Sequence, residues 1–467
     1  MKQRPSVAII GGGISGLATA WWLHKSGTNV TVLERNDEPG GTMRTVRDRG
    51  WLIETGPNSA LETTPLFKTL FNDVGLADEV VYADDVGNNR YILRDGALHA
   101  LPMTPPAFLK SKLWSLPGKL RLLGEPFIGR AENEETIAQF VERRLGREFL
   151  DYAINPFVAG VYAGNPEQLS VRAAFPKLYA LEEKYGGLIK GQIRGRKERK
   201  KRAEQSKDRA RMFAFRNGMQ VFPEALAHAM APHVQCGIRI RLIREIQKRG
   251  KRTYEISGTR KGKPFRVNAD AVITAVPSYS TSKLLSSVDK ALTTTLEKIY
   301  YPPVVEVFLG FKKSDVQRDL DGFGFLVPAR EQRRILGTIW SSSLFPNRAP
   351  EGHVALTTFV GGSRQPELTE QNDEKIVETV TDELGAIMGV SGRPAYRRIA
   401  RWERAIPQYN LGHLSIIGQL EQFERQHPGI FISGNFRGGI SVGDCIINSE
   451  ITAQRVQNFL RNIQSPD

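Results

Sequence analysis

The chain has 467 residues, too many for one hydrophobic core, so roughly two to four domains are expected. With 40% hydrophobic and 25% charged residues, the composition excludes a largely disordered protein. Its 65 Lys and Arg against 50 Asp and Glu leave a formal charge of +15, which calls for an anionic partner without choosing among nucleic acid, acidic lipid and a carboxylated substrate.

The first predicted elements form one unit. "SVAII" reads as a buried parallel strand, "ISGLATAWWLHKSG" as a crossover helix and "NVTVLER" as the second strand of a βαβ unit. Between strand and helix lies the turn Gly11, Gly12, Gly13, Ile14, Ser15, Gly16. Gly11 permits the tight turn, Gly13 lets a pyrophosphate approach, and Gly16 lets helix and sheet pack closely. The helix N-terminus near Ser15 then favours the pyrophosphate charge. Glu34, 18 residues beyond Gly16, is placed to accept from ribose hydroxyls and disfavours a 2′-phosphate. Residues 39–44, "PGGTMR", add a second glycine pair with Gly41 and a basic Arg44, for which a nicotinamide enzyme has no particular use.

Further along, prolines cut residues 102–130 into short amphipathic pieces mixing Phe, Trp and Leu with Lys and Arg, a composition suited to lying on a membrane. Residues 134–211 read mainly as helix, with Thr136 an N-cap. This section closes on residues 190–211, which hold eleven Lys or Arg and three Asp or Glu but no Phe, Tyr or Trp. Single-stranded nucleic acid is bound by interleaved cations and aromatics, so no nucleic-acid partner is expected there; a solvated face or attraction to anionic lipid remains. Strands follow in 234–276, 303–310 and 353–360, with helices at 280–298 and 370–388 between them. The chain ends with a strand, "GIFISGN", a glycine-rich turn and a helix, "SVGDCIINSEITAQRVQNFL".

That second turn, residues 432–446, decides the cofactor. Two glycine-rich strand-to-helix turns suit a long, extended ligand, and the helix N-terminus at Gly439 to Val442 can face the N1–C2=O edge of an isoalloxazine. FAD is therefore expected. The two cysteines, Cys236 and Cys445, suggest neither a disulfide framework nor a metal site, and a reducing compartment is expected. A strand begins after about six residues and no run of about 18 apolar residues occurs, so neither a signal peptide nor a transmembrane helix is expected. The expected location is the cytoplasm or the cytoplasmic face of the plasma membrane.

Several stretches carry a family resemblance: 56–59 "GPNS", 88–96 "NNRYILRDG", 155–187 "NPFVAGVYAGNPEQLSVRAAFPKLYALEEKYGG", 357–364 "TTFVGGSR", 402–409 "WERAIPQY" and 434–446 "GNFRGGISVGDCI". Together they resemble the protoporphyrinogen oxidases, within the amine-oxidase-like flavoproteins. The resemblance implies an α/β fold with a Rossmann-like FAD-binding domain assembled from residues 1–89, 212–280 and 401–467. It also implies a helical membrane-binding and substrate-channel domain at 90–211 and a mixed-sheet substrate domain at 281–400. The implied reaction takes protoporphyrinogen IX to protoporphyrin IX, the penultimate step of haem synthesis, shared with chlorophyll synthesis. Oxygen is the acceptor, and six electrons leave in three two-electron rounds, each yielding hydrogen peroxide.

By position in the family motifs, Arg90 is expected to bind a propionate, and Gly160, Leu326, Ile339 and Phe359 to contact the tetrapyrrole. Ile339 stands where the resemblance would expect leucine. Around the flavin the matched residues are the turn from Gly11 to Gly16, Glu34, Arg35, Gly41, Arg44, Gly56, Pro57, Asn58, Ser59, Ile246, Trp402, Gly434, Ile440, Ser441 and Val442. No catalytic acid or base is expected, since the flavin takes the hydride. Cys445 does not match the cysteine that carries covalent flavin in monoamine oxidases, so FAD is expected to dissociate. The expected partners are the tetrapyrrole, oxygen and a membrane surface, and the resemblance leaves room for a homodimer and a ferrochelatase contact. Three alternatives stand beside this reading: oxidation of coproporphyrinogen III, with four propionates; a flavin amine oxidase or carotenoid desaturase; and a flavoprotein that binds porphyrin without oxidising it.

Overall fold

The computed structural model describes residues 5–199, 210–248 and 251–464. The elements that position the site are, in chain order, β1 (Ser6–Ile10), α1 (Ile14–Lys25), β2 (Asn29–Leu33), β3 (Trp51–Glu54), β4 (Arg90–Arg94), β5 (Ala97–Ala100) and α2 (Asn155–Tyr162). There follow β6 (Val234–Gln235), β7 (Ile238–Lys248), β8 (Ala271–Thr274), β9 (Val304–Lys312), β10 (Gly324–Leu326), β11 (Gly337–Ile339) and β12 (His353–Gly361). The last are α3 (Asp373–Met388), β13 (Tyr396–Trp402), β14 (Ile430–Ile432) and α4 (Val442–Gln464).

Five strands from distant parts of the chain form a parallel sheet in the order β6-β2-β1-β8-β14. Both faces are covered, which is why β1 is apolar at nearly every position. Val7 and Ile9 face α1 and α4 through Leu17, Leu23, Ile446 and Val456. Ala8 and Ile10 face a second core with Ile243, Tyr254, Leu284 and Phe423.

A seven-stranded sheet runs in the order β13-β9-β12-β11-β10-β4-β5, antiparallel except where β10 meets β4. Alternation gives it two unlike faces. Val305, Val307, Leu309, Phe325 and Val360 pack against Ile376, Val380 and Leu384 of α3. The opposite face carries Arg90, Leu326, Ile339, Phe359 and Glu306.

The helices between residues 134 and 199 form their own core around Phe140, Val141, Val158 and Tyr162. Thr136 starts the helix Ile137–Leu145 with a capping box closed by Gln139. Arg144, fully buried, bonds Glu125 at 3.1 Å and Glu182 at 2.5 Å, tying the segment around 125 to this core.

Two sequence expectations are revised, and one falls partly outside the described residues. Strands β4 and β5 belong to the seven-stranded sheet, so a boundary at 90 separates them from their partners, and one at 400 falls within β13. The helix expected over 280–298 is two, Ser278–Leu285 and Lys290–Glu297, because Asp289 caps the second by accepting from the Leu292 N–H. Residues 200–209 of the basic run lie outside the described residues.

Candidate active site

The nucleotide cradle is built by backbone. Gly11 has φ +111°, and a Cβ there would sit 2.5 Å from the Ala275 carbonyl oxygen. A Cβ on Gly16 would come within 2.0 Å of the Gly11 oxygen, so the third glycine is required by helix–strand contact. Gly13, the N-cap of α1, offers no capping side chain, and the first turn holds no acid. The N–H groups at Ile14, Ser15 and Gly16 therefore face outward as an anion site. Glu34, 5% exposed, accepts from the Gly12 N–H at 2.7 Å and the Asn36 N–H at 2.8 Å. Each oxygen keeps a second lone pair for a hydroxyl. The second glycine pair has a packing role: the Gly40 N–H donates to the Gly12 oxygen at 2.8 Å, and a Cβ on Gly41 would lie 3.0 Å from Gly13 Cα. Arg44 spans the same loop, bonding the Gly41 and Glu38 carbonyls and the Glu38 carboxylate. Arg35, two residues past β2, is exposed, and its charge acts on Tyr279.

The second turn meets the first. Gly434, at φ +142°, would place a Cβ 3.4 Å from the Val276 carbonyl oxygen, and Val276 also abuts Gly11. Helix α4 then begins beside α1. Ser441 caps it by accepting from the Asp444 N–H while its own hydroxyl donates to the Asp444 carboxylate. Ile440 precedes this cap and Val442 is the first helical residue, but Asp444 already puts a carboxylate on this turn, so this N-terminus, unlike that of α1, is less suited to a further negative charge than the sequence suggests. Trp22 of α1 donates to Ser449 of α4 at 3.2 Å, fixing the two helices together. The Cys445 thiol is buried against Ser15, and burial pushes it up to about 11, which leaves it inert.

Sequence reasoning missed what holds this second turn. Tyr409 donates to the Asn435 oxygen and accepts from the Gly439 N–H, while His413 stacks on Tyr409 and bonds the Phe436 oxygen. Burial holds His413 down to about 4, so the imidazole is neutral. Tyr409 ends the stretch 402–409 that carries the resemblance and His413 lies just beyond it, but neither shows its hold on the second turn until the fold closes.

Ile246 is the residue the structure does not bring here. The β7 strand starts beside Glu34, where the Ile238 N–H donates to the Glu34 backbone carbonyl, and Ile246 lies eight residues on, opposite Thr253, roughly 25 Å along an extended strand. The Gly237–Ile238 turn takes the place beside Glu34. The stretch "IRIRLIREI" offers several apolar positions, and its register is shifted between Ile240 and Leu242, so sequence alone does not choose which of them stands beside Glu34.

The ring-facing side is made by the seven-stranded sheet. Register places Arg90 opposite Gly324, Ile339 opposite both Gly324 and Thr357, and Phe359 opposite Gly337, which itself pairs Leu326. Arg90, Leu326, Ile339 and Phe359 thus share one face. Arg90 lies at its edge, its guanidinium 5.7 Å from the Phe323 ring centroid. Gly160 of α2 closes over the face, since a Cβ there would meet Leu326 Cδ2 at 2.5 Å. The loop Gly56, Pro57, Asn58 and Ser59 follows β3. Trp402 donates to the Thr55 oxygen at 2.9 Å, and Asn58 donates to Glu306 at 2.9 Å, so this loop joins the cradle's side of the molecule to the same face.

Comparison with known proteins agrees with this arrangement. The sequence profile of the flavin containing amine oxidoreductases matches residues 14–457. The chain belongs to that family. It is 32% identical to protoporphyrinogen oxidase 2, chloroplastic/mitochondrial, of Arabidopsis thaliana over 98% of this chain and 94% of the relative. It is 34% identical to the chloroplastic protoporphyrinogen oxidase of Nicotiana tabacum over 97% and 85%. Coproporphyrinogen III oxidase of Bacillus subtilis is 28% identical over 97% and 98%. Among solved structures, an Exiguobacterium protein assigned to the protoporphyrinogen oxidases superposes with a TM-score of 0.79 at 24% identity, covering 98% of this chain and 99% of that one. A flavin cofactor and oxidoreductase chemistry follow from membership in this amine oxidoreductase family, and the cradle fits such a group: glycines where side chains would collide, the helix N-terminus of α1 and a buried carboxylate. Among the described residues no helix is long and apolar enough to cross a membrane.

Proposed function

We propose that this flavoenzyme oxidises protoporphyrinogen IX to protoporphyrin IX with dissociable FAD, using oxygen as acceptor. The observation that carries this reading is the single sheet face with a guanidinium at one edge and apolar side chains across it, joined to the flavin cradle through Asn58 and Trp402. Bound FAD supplies hydride acceptance and passes the electrons to oxygen. The protein's own work is placement. Arg90 holds a propionate, Leu326, Ile339 and Phe359 hold the flexible macrocycle flat, and Gly160, with no side chain, lets Leu326 pack directly on the α2 backbone and so keep its place on the face. Glu34 and the N–H groups of α1 hold the dinucleotide.

A membrane-surface partner is part of the proposal. Met103, Leu109, Leu116, Leu120, Leu123 and Phe127 are all exposed, Phe127 by 89%, in the segment that also carries Lys110, Lys112, Lys119 and Arg121. An apolar patch rimmed by cations suits the headgroup boundary of an anionic leaflet, here the cytoplasmic face of the plasma membrane.

One observation favours a second reading, oxidation of coproporphyrinogen III. Arg364 bonds the Val327 oxygen and Asn155 near Leu326, makes no ion pair among the described residues, and is pushed down to about 10 by burial. An unneutralised guanidinium there would suit a further carboxylate. The test is turnover of the FAD-loaded protein in detergent with each porphyrinogen, read by porphyrin fluorescence and peroxide. Faster turnover of protoporphyrinogen supports the main reading, faster turnover of coproporphyrinogen the second, and turnover of neither overturns both.

A further inference from the structure

Glu306 is a carboxyl for which the proposed reaction has so far given no role. On β9 it stands directly opposite Phe359 of β12 and Ala400 of β13, one rank from the Val304–Trp402 pair. It therefore shares the face of Leu326 and Ile339. It is 4% exposed. Its Oε1 accepts from Asn58 Nδ2 at 2.9 Å, and the same amide nitrogen donates to the Gly56 oxygen at 3.1 Å. Its Oε2 makes no hydrogen bond to any described residue.

The charges around it offer no compensation. From β3, Glu54 acts on it as a like charge, and Arg348 is engaged with Glu54 at 3.6 Å. From β13, Arg398 lies opposite Phe308 and is exposed, and β12 presents Phe359 and Thr357. No cation bonds Glu306 among the described residues. An ionised carboxylate would be buried and unpaired, whereas a neutral acid satisfies the geometry: a carbonyl oxygen for Asn58 and a hydroxyl to donate. Burial, with Glu54 as a lesser cause, accordingly pushes the group up to about 8.

We propose that Glu306 is a positioning residue of the ring site that works as a neutral acid, its carbonyl oxygen fixing Asn58 and its hydroxyl serving as the hydrogen-bond donor left for the ligands at this face. With both amide hydrogens of Asn58 engaged, its Oδ1 is the matching acceptor. The site thus offers one fixed donor and one fixed acceptor on an otherwise apolar floor. This rests on the reading of that face as the place where flavin and substrate meet.

Three proteins test it: the wild type, Glu306→Gln, which keeps an acceptor and a donor but cannot ionise, and Glu306→Leu, which keeps neither. The first readout is a pH titration of the bound flavin's absorbance without substrate. The wild type is expected to show a one-proton spectral change near pH 8 that Glu306→Gln lacks while holding flavin as tightly. The second is turnover of protoporphyrinogen below that pH, where Glu306→Leu is expected to lose about tenfold in kcat, one hydrogen bond's worth, and Glu306→Gln, which keeps an acceptor and a donor, to recover most of that loss. A spectral change that persists in Glu306→Gln, or its absence from the wild type, overturns the proposal; so does a Glu306→Leu protein that keeps full kcat. If Glu306→Leu does not fold, the titration of Glu306→Gln decides alone. Because the titration uses no porphyrinogen, failure of the substrate reading leaves it intact and is recognised separately.

Discussion

The two halves of the site are made by different means. The dinucleotide cradle is a backbone structure: Gly11, Gly13 and Gly16 follow one strand, Gly11 and Gly16 admit no side chain, and Glu34 contributes a buried carboxylate. The ring-facing side is a side-chain structure, collected from β4, β9, β10, β11 and β12, whose residues span positions 90 to 359. A backbone site tolerates almost no substitution, because its atoms have nowhere to move. A side-chain site on a sheet face can be altered piece by piece. The first should therefore fail completely when changed, and the second by degrees.

Substitutions can break or sharpen that contrast, beginning with the largest effect. Gly16→Ala puts a Cβ within 2.0 Å of the Gly11 oxygen and is expected to abolish flavin loading, read as the flavin-to-protein absorbance ratio of the purified protein. Full loading would show the turn to be softer than a backbone site should be. Glu34→Gln leaves one acceptor oxygen where two N–H groups now bond, and sets an amide N–H against the other. Flavin affinity should fall by about 2 kcal/mol, roughly thirtyfold in Kd, measured by flavin fluorescence on titration.

Arg90→Ala belongs to the other half. It should raise KM for protoporphyrinogen about tenfold, the loss of one charge-assisted contact, with flavin content unchanged. A fall in flavin content would instead place Arg90 in the cradle. The smallest effect is on stability. Folding raises the Glu306 pKa from the usual 4.5 to about 8, so the folded state binds this proton more tightly than the unfolded state does. Its contribution is full below about pH 4.5, declines between there and about pH 8, and is gone above. Glu306→Gln should therefore lose less Tm than the wild type between pH 5 and pH 9 in thermal melts.

The same contrast explains what could be read from the sequence. The cradle's glycines and Glu34 stand close together in the chain, so their spacing was legible at once, as was the second turn through its glycines, whereas the Ser441–Asp444 cap on it was not. The glycine pair at 40 and 41 was visible as a pattern, but its packing against Gly12 and Gly13 was not. The ring face was reached only through family resemblance, because Arg90, Leu326, Ile339 and Phe359 acquire a common face from strand register, and register between distant strands leaves no local trace. Glu306 was not legible at all. In "VVEVFLGF" one acid interrupts an apolar strand, and only Asn58, almost 250 residues away, gives it a partner. Ile246 shows the converse, a strand with several equivalent apolar positions and a register irregularity at Ile240/Leu242 that the sequence does not announce.

The most direct test of the account is an anaerobic mixing experiment with the FAD-loaded protein and protoporphyrinogen IX, following the visible flavin absorbance and porphyrin fluorescence together. If cradle and ring face form one oxidising site, flavin absorbance bleaches as fluorescence rises, and admitting oxygen restores the flavin. Tight binding of the porphyrinogen with the flavin left oxidised would contradict the account and make this protein a carrier of porphyrin instead.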